Sequence, residues 1–308
     1  MGNCPCQCGR SLSVVEVMSA RIIDGNAVAA NIRSEVTKRV NLLARDRGIV
    51  PGLAVILVGE DPGSAVYVRN KIRACEKVGI RSFSHRLPAD LSNGQLLDLV
   101  RQLNSDPAVH GILVQLPLPP QIDMARVLEA IAVHKDVDGF HLYNVGALVT
   151  GNTIFSPCTP YGVVKLLEHE GIGIEGQNVV VVGASNIVGK PMALMLMARD
   201  ATVAICHAKT RDLAQFTITA DILVVAAGVP NLILAPMVKQ GAVVIDVGIN
   251  RLANGRIVGD VDYAGVAARA SYITPVPGGV GPMTVTMLLE NTVTAAEQAC
   301  VSRVAANE

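Results

Sequence analysis

The feature that most constrains this chain is a run of four valines that ends at a glycine-containing turn. The segment 178–189 reads Asn-Val-Val-Val-Val-Gly-Ala-Ser-Asn-Ile-Val-Gly, and Pro191 follows where a helix is expected to begin. The apolar run predicts a strand that is buried on both faces of a parallel sheet. Gly183 allows a tight turn, and the amide groups at a helix start attract a pyrophosphate. The segment therefore predicts a Rossmann-type dinucleotide site.

The turn departs from the simple dinucleotide fingerprint. It runs Gly-x-Ser-x-x-x-Gly, with Ser185 in place of the middle glycine and one residue added. A strand-to-helix turn that binds nothing is the alternative. Further strands are predicted at 202–206, 221–227, 242–247 and 271–274. Because strands recur at regular intervals after the turn, we favour a doubly wound sheet that binds a nucleotide.

The first half of the chain also alternates between predicted helices and strands, which is typical of a parallel sheet with helices on its faces. A stretch with several Gly and Pro residues, from 136 to 160, is the predicted domain junction. We therefore predict two α/β domains, 19–157 and 158–282, with an active-site cleft between them. The second is a Rossmann-type doubly wound parallel sheet, and the terminal helix 283–308 is expected to pack back on the first domain.

Composition bears on the kind of partner. Twenty-six basic and 26 acidic residues leave no net charge, and the chain has no Trp. Both features argue against a nucleic-acid partner. No apolar run approaches the roughly 18 residues that span a bilayer, so no membrane partner is predicted. Most of the seven cysteines are scattered, which argues against a disulfide framework and indicates a reducing cytoplasm.

The N-terminal segment 1–18 is expected to be a disordered extension ahead of a natural start at Met18. It contains Cys4, Cys6 and Cys8, which could bind a metal ion. The run lacks the usual two-residue spacing, however, and no His lies nearby. We therefore predict no metal site.

The end of the strand after the nucleotide turn bears on the type of cofactor. In NAD enzymes an acidic residue at this position binds the ribose hydroxyls. Here the strand ends in His207-Ala208-Lys209-Thr210-Arg211, with no acid at its tip. Basic groups suit the additional 2′-phosphate of NADP, and the alternative is that they are solvated surface charges. The sequence therefore favours NADP.

A lysine occupies an unexpected position on the helix predicted over 63–79. At 100° per residue, Lys71 lies near the centre of the apolar face, one turn after Tyr67. An inward amine needs polar partners, and a snorkelling side chain at the helix margin is the alternative. Gln115 lies near the carboxyl end of an apolar strand, and Asp138 lies in the loop that follows the next helix. Ligands bind at that edge of a parallel sheet, so these four residues are candidates for one cleft.

Several long motifs, in the same order, resemble the family of bifunctional methylenetetrahydrofolate dehydrogenase/methenyltetrahydrofolate cyclohydrolase. The resemblance runs from about residue 20 to residue 295. The motifs are Tyr67-x-x-x-Lys71, 114–119 (Val-Gln-Leu-Pro-Leu-Pro), 136–140 (Asp-Val-Asp-Gly-Phe), 157–160 (Pro-Cys-Thr-Pro), the turn 183–189, 246–250 (Asp-Val-Gly-Ile-Asn) and 275–284 (Pro-Val-Pro-Gly-Gly-Val-Gly-Pro-Met-Thr).

The resemblance implies two reactions at one cleft between a folate-binding first domain and an NADP-binding second domain. A hydride passes from the methylene carbon of the folate to NADP, and water then opens the methenyl product to 10-formyltetrahydrofolate. Lys71 is implied as the key cyclohydrolase residue, tuned by Tyr67 and hydrogen-bonded by Gln115. Asp138 is implied to hold the pterin through two parallel hydrogen bonds. The family also implies a homodimer.

The predicted contacts extend beyond these four residues. Substrate contacts are also expected from Leu116, Pro117, Pro277, Gly278 and Gly279. Cofactor contacts are expected from Gly183, Ala184, Ser185, Ile187, His207, Ala208, Lys209 and Ile249. Many family members have Arg in place of Ala184 and Ser in place of Ala208, so the preference for NADP over NAD depends here on Lys209 and Arg211.

Three other functions are consistent with parts of this pattern. A dehydrogenase without cyclohydrolase activity is the nearest, and the intact Tyr67, Lys71 and Gln115 argue against it. A cyclohydrolase with a vestigial nucleotide site is disfavoured by the intact turn. A nucleotide-sensing module without catalysis does not explain an inward lysine beside a glutamine at a strand end.

Overall fold

The computed structural model describes residues 19–305, which form two α/β layers built on separate parallel sheets. The strands are β1 (Arg21–Ile22), β2 (Gly52–Val58), β3 (Arg81–Leu87), β4 (Gly111–Val114), β5 (Asn178–Val182), β6 (Thr202–Cys206), β7 (Ile222–Val225), β8 (Val243–Asp246), β9 (Asn250–Arg251), β10 (Ile257–Val258) and β11 (Tyr272–Ile273). The helices are α1 (Gly25–Arg47), α2 (Pro62–Val78), α3 (Asn93–Ser105), α4 (Met124–Ala130), α5 (Leu142–Thr150), α6 (Cys158–His169), α7 (Gly189–Met197), α8 (Leu213–Thr217), α9 (Tyr263–Ala267) and α10 (Val280–Ala305).

The smaller sheet has the order β3-β2-β4, and both of its pairings are parallel. Every residue of the central strand β2 is buried. Because side chains alternate across a strand, Leu53 and Val55 pack into one core with α2 and α10, whereas Ala54 and Ile56 pack into another with α3 and α4. The strand is therefore covered by helices on both faces, as its uninterrupted apolar sequence predicts.

The larger sheet has six parallel strands in the order β1-β11-β8-β7-β5-β6. The valine-rich strand β5 lies inside it, between β6 and β7, and its residues Val179–Val182 are buried. The order reverses around β5, since β6 lies on one side of it and β7 on the other. This reversal produces the crevice in which doubly wound sheets bind ligands.

The structure differs from the predicted organisation at three places. Arg21–Ile22 lie in the predicted first domain, yet they pair with β11 at the edge of the second sheet. Two residues are too short a run for a sequence pattern to assign. The predicted loop 136–160 contains the helix α5, which begins after His141 and ends at Gly151. The terminal helix begins at Val280 rather than Met283, and Pro282 is accommodated in its first turn, where no intrahelical amide bond is needed.

The helix α10 packs on α1 and on α6, and so joins the two halves of the chain. The division into 19–157 and 158–282 itself stays a prediction. Within residues 19–305 no helix combines the length and apolar character needed to cross a membrane. The same residues contain no group of three His, Cys, Asp or Glu side chains placed to hold a metal ion. The segment 1–18, with its three cysteines, lies outside the described residues.

Candidate active site

The four side chains predicted to act on the substrate line a single cavity of about 470 Å³. Tyr67 and Lys71 come from α2, Gln115 follows β4 directly, and Asp138 lies in the loop before α5. The opposite wall includes Ile187 of the nucleotide turn. The cavity therefore opens between the carboxyl ends of the two sheets.

The position of Lys71 follows from how α2 is anchored. The helix begins at Asp61, whose carboxylate accepts the amide of Ser64 at 2.7 Å, and it ends at Gly79 in the left-handed conformation (φ 84°). Val68 and Cys75 of the helix are fully buried in the core. Lys71 lies three residues after the first and four before the second, so it shares their side of the helix and is half-buried.

Lys71 has a polar partner in the cavity. Its Nζ donates to Oε1 of Gln115 at 3.0 Å, and Nε2 of Gln115 donates to the carbonyl of Leu116 at 2.7 Å. The second bond determines which end of the amide faces the lysine, because only the oxygen can accept. Leu116 and Pro117 line the same cavity, as predicted for substrate contacts.

The loop that carries Asp138 is held by a neighbouring acid that the sequence analysis did not single out. Asp136 is buried, and its carboxylate accepts the amide of His141 at 2.8 Å and Nδ2 of Asn144 at 2.7 Å. From α10, Nδ2 of Asn291 donates to the carbonyl of Val137 at 2.8 Å. These bonds hold the peptide on both sides of Asp138. The sequence signal for Asp136 was the pair of acids on either side of Val137. No feature of the sequence near Asn291 indicated a contact with this loop.

The environment of Asp138 is electrostatically mixed. Burial raises the pKa of its carboxyl above the usual range, and the positive charge of Lys71 acts in the opposite direction. The buried Cys158 thiol lies against it, and the pKa of this thiol is raised well above its ordinary value, first by burial and then by the charge of Asp138. A buried carboxylate of this kind is stabilised most when a bound ligand supplies hydrogen-bond donors.

The nucleotide turn is built by close approach of backbone to backbone. Gly183 has φ 118°, and a Cβ there would lie 2.1 Å from the carbonyl oxygen of Ala226. A Cβ on Gly189 would lie 1.9 Å from the carbonyl oxygen of Gly183. Both positions therefore require glycine.

Ser185 does more than replace the middle glycine. Its Oγ accepts the amides of Val188 at 3.1 Å and of Gly189 at 3.4 Å, so it closes the turn just before α7. Two amides at the end of the turn are thus bonded to the Ser185 side chain, and the pyrophosphate contact stays a prediction. Ile187 of the turn, and Ile249 from the loop after β8, both line the cavity around Lys71.

The tip of β6 presents the predicted phosphate-binding residues to solvent. His207, Ala208 and Lys209 are exposed, and the tip is ordered by Oγ1 of Thr210, which accepts the amide of His207 at 2.9 Å. Lys209 and Arg211 form no salt bridge with any other described residue. Ala184, in the facing turn, is half-buried and supplies no charge.

Pro277, Gly278 and Gly279 lie in an adjoining cavity of about 540 Å³ and not around Lys71. The two cavities are continuous, since they share six lining residues: Tyr67, Val247, Ile249, Val280, Gly281 and Val285. The three residues therefore lie in the part of the cleft that adjoins the Lys71 cavity.

Two family models match the chain. The catalytic domain of tetrahydrofolate dehydrogenase/cyclohydrolase matches residues 23–138, and the NAD(P)-binding domain of the same family matches residues 157–300. The bifunctional protein FolD of Nitrosospira multiformis is 60% identical over 282 residues, which cover 92% of this chain and 98% of that protein. The FolD protein of Cupriavidus pinatubonensis is 62% identical over 282 residues, which cover 92% of this chain and 99% of that protein.

Solved structures agree with these matches. The FolD methylenetetrahydrofolate dehydrogenase/cyclohydrolase from Campylobacter jejuni superposes with a TM-score of 0.89 at 52% identity, over 91% of this chain and 99% of that one. The Trypanosoma brucei FolD, solved with NADP cofactor and an inhibitor, superposes with a TM-score of 0.88 at 44% identity, over 91% of this chain and 98% of that one.

Proposed function

The chain belongs to the tetrahydrofolate dehydrogenase/cyclohydrolase family, and on that premise we propose which of its residues carry out each reaction. It is a bifunctional enzyme of one-carbon folate metabolism with NADP as cofactor. It oxidises 5,10-methylenetetrahydrofolate to the 5,10-methenyl form and hydrolyses that product to 10-formyltetrahydrofolate. The observation that supports the assignment of residues is the single cavity in which Lys71, Gln115 and Asp138 face the nucleotide turn.

The residues of the second sheet fit NADP. The backbone around Gly183 leaves no room for a side chain, and the basic tip of β6 offers Lys209, which forms no salt bridge with an acid among residues 19–305. We assign cofactor contacts to Gly183, Ala184, Ser185, Ile187, His207, Ala208, Lys209 and Ile249. NADP supplies a hydride acceptor when bound, and the protein contributes by aligning the folate carbon with it.

Asp138 is proposed to orient the folate for both reactions. Its half-buried carboxylate can accept two parallel hydrogen bonds from the amino and ring N–H groups of the pterin. The hydrogen bonds of Asp136 and Asn291 to this loop hold the carboxylate in place before substrate arrives. Leu116, Pro117 and Tyr67 supply the apolar walls. Pro277, Gly278 and Gly279 then contact the part of the folate that extends past Tyr67.

Lys71 is proposed as the catalytic residue of the hydrolysis. Water adds its oxygen to the methenyl carbon and loses one proton, which leaves a neutral hydroxyl adduct. The hydroxyl then loses its remaining proton as the carbonyl forms, and the bond between that carbon and N5 breaks as N5 takes up a proton. The formyl group remains on N10. The amine of Lys71, held at 3.0 Å from Gln115, lies where it can transfer these protons and stabilise the developing charge.

One assay separates the bifunctional enzyme from its alternatives. The purified protein is incubated with methylenetetrahydrofolate and either NADP or NAD, and reduced nucleotide and methenyl product are followed by absorbance. We expect reduced nucleotide without accumulation of the methenyl form. Accumulation of that form would indicate a dehydrogenase alone. Hydrolysis of added methenyltetrahydrofolate without nucleotide reduction would indicate a cyclohydrolase alone, and neither reaction would indicate a binding module.

We also propose that the enzyme is a homodimer located in the cytoplasm. The strand β6 is an outer edge of the larger sheet, and Ile205 on it and Phe216 on α8 are more than two-fifths exposed. Uncovered edges of this kind are suited to subunit contact. The described cysteines are free thiols, which is consistent with a reducing compartment. Light scattering on the purified protein tests the dimer, and a single-subunit mass would contradict it.

A further inference from the structure

Two buried carboxylates lie beneath the loops at the carboxyl edge of the larger sheet, and neither is among the predicted substrate or cofactor contacts. Asp246 lines the cavity of about 540 Å³, whereas Asp260 lines neither cavity of the cleft. Asp246 is the last residue of β8, and Asp260 follows β10 by two residues. Asp260 is fully buried and Asp246 almost so. Neither forms a salt bridge with another described residue. We refer to Asp246 and Asp260 as the carboxylate clamp.

The clamp is satisfied almost entirely by backbone amides. Asp246 accepts the amides of Gly248, Asp260 and Val261, each at 3.0 Å. Asp260 accepts amides that Asp246 does not. Together the two carboxylates therefore accept amides from three separate stretches of chain. An acid held by several amides in a buried position fixes the backbone that supplies them.

The second carboxylate extends the clamp to the loop after β7. Oδ2 of Asp260 accepts the amides of Ala227 at 2.7 Å and Gly228 at 2.8 Å. Its Oδ1 accepts Nδ2 of Asn250 at 2.8 Å. The clamp therefore joins the loop after β7, the loop after β8 and the chain that leaves β10.

Two glycines make room for the carboxylates. A Cβ on Gly248 would lie 2.2 Å from Oδ1 of Asp260, and a Cβ on Gly259 would lie 1.8 Å from Oδ2 of Asp246. Both distances are far below van der Waals contact. The backbone is thus shaped around the acids, which indicates a built arrangement and not chance burial.

The joined loops are those that face the proposed cofactor. Gly183 of the nucleotide turn packs directly on the carbonyl of Ala226, next to the amides that Asp260 holds. Val247 and Ile249, on either side of Gly248, line both cavities of the cleft. A shift of the clamp would therefore act on the nucleotide-facing side of the cleft, which carries the turn, Val247 and Ile249.

We propose that Asp260, acting with Asp246, is a positioning residue for the hydride-transfer step. It touches neither substrate nor cofactor, and it acts through the backbone of the loops after β7 and β8. This inference rests on the proposed function, because it assigns the nucleotide to those loops. Lys71 and Gln115 lie on α2 and after β4, outside the clamp. The cyclohydrolase reaction consumes no nucleotide and depends on these two residues of the other sheet, so we expect it to change far less than hydride transfer.

The test is Asp260→Asn in the full-length enzyme. An asparagine has one acceptor oxygen, so its amide nitrogen must face either the Ala227 and Gly228 amides or Asn250, all of which donate. We expect the KM for NADP to rise by about tenfold or more, a loss of affinity of about 1.4 kcal/mol. Hydrolysis of methenyltetrahydrofolate without nucleotide should stay within about twofold of wild type. Calorimetric titration with NADP should show the same loss of affinity.

Asp221→Asn is the matched control. Asp221 lies in the same sheet and bonds to the amide of Asn178 and to Lys239, but it precedes β7 at the opposite edge. It should leave the KM for NADP unchanged. If Asp260→Asn does not fold, Asn250→Ala removes a single donor from the clamp and should give a smaller change in the same direction.

The outcomes distinguish the two proposals. An unchanged KM and NADP affinity in both clamp variants would overturn the positioning role, as would a parallel loss of both activities. A wild-type enzyme that neither binds nor reduces NADP would overturn the proposed function before any variant is compared. A rise in the KM for NADP with cyclohydrolase intact supports the clamp.

Discussion

Replacing Lys71 by methionine isolates the contribution of its amine to hydrolysis. Both side chains are unbranched and fill similar space along α2. The substitution removes the positive charge and the donor that bonds Oε1 of Gln115 at 3.0 Å. The buried neighbours Val68 and Cys75, which anchor this face of the helix, are unaffected.

The expected loss of activity follows from the chemistry assigned to the amine. A positioned proton-transfer group contributes about 10²- to 10⁴-fold, and this range corresponds to about 3–5 kcal/mol of transition-state stabilisation. The cost to folding should be smaller, about 0.5–1.5 kcal/mol, because one hydrogen bond is lost in a cavity open to water. The charge of Lys71 also lowers the pKa of Asp138. Its removal raises that pKa further and should weaken folate binding.

The assay compares three quantities in one preparation. Cyclohydrolase activity is followed by loss of methenyltetrahydrofolate absorbance, NADP affinity by calorimetry, and the free energy of unfolding by urea titration. Lys77→Met, an exposed position on the same helix, is the matched control and should keep full activity. NADP affinity should be unchanged in both variants, because the nucleotide turn belongs to the other sheet.

A normal rate of hydrolysis in Lys71→Met would refute the assignment of this lysine. A loss of hydrolysis accompanied by an equal loss of NADP affinity would also refute the reasoning, since it would indicate a general disturbance of the cleft and not the removal of one proton-transfer group.

Three further predictions address the folate, the cofactor and the thiols. Asp138→Asn should raise the KM for folate in both reactions about 10- to 100-fold, because charge-assisted hydrogen bonds to the pterin are lost. The KM for NADP should be unchanged. A KM for folate equal to that of the wild type would contradict the pterin role. Lys209→Ala should lower the ratio of kcat/KM for NADP to that for NAD by about fivefold, as expected for one exposed phosphate contact; an unchanged ratio would exclude Lys209 from phosphate binding. Burial raises the pKa of Cys75 to about 12, so at neutral pH this thiol is protonated, and site-resolved mass spectrometry should find it alkylated only after unfolding. The half-buried Cys300 should react in the native protein, and equal rates at Cys75 and Cys300 would contradict the buried site.

Local sequence patterns were sufficient to predict the main helices and strands and the direction in which key side chains point. The valine run predicted β5, and the structure places it inside a parallel sheet. The apolar face of α2 predicted that Lys71 points inward, and the structure has it half-buried with an amide partner. Both predictions depend only on the repeat of a helix or strand, which a short stretch of sequence contains in full.

Contacts between segments that are far apart in the sequence could not be predicted from local patterns. Gln115 is 44 residues from Lys71 along the chain, and Asn291 is 154 residues from Val137, whose carbonyl it holds. The pairing of β1 with the second sheet is also a contact between segments that are far apart in the sequence. Periodicity indicates which way a side chain faces on its own element, but not which element it meets.

The sequence by itself determined that the chain forms parallel α/β layers, that a dinucleotide turn follows β5, and that one lysine faces inward. Only the tertiary structure decided that the lysine meets Gln115 opposite that turn, that the Ser185 side chain bonds two amides of the turn, and that Asp260 joins the loops behind Gly183. The physical reason is that propensity and periodicity are local, whereas the relative placement of loops depends on buried polar bonds and close backbone contacts that form only when distant segments pack together.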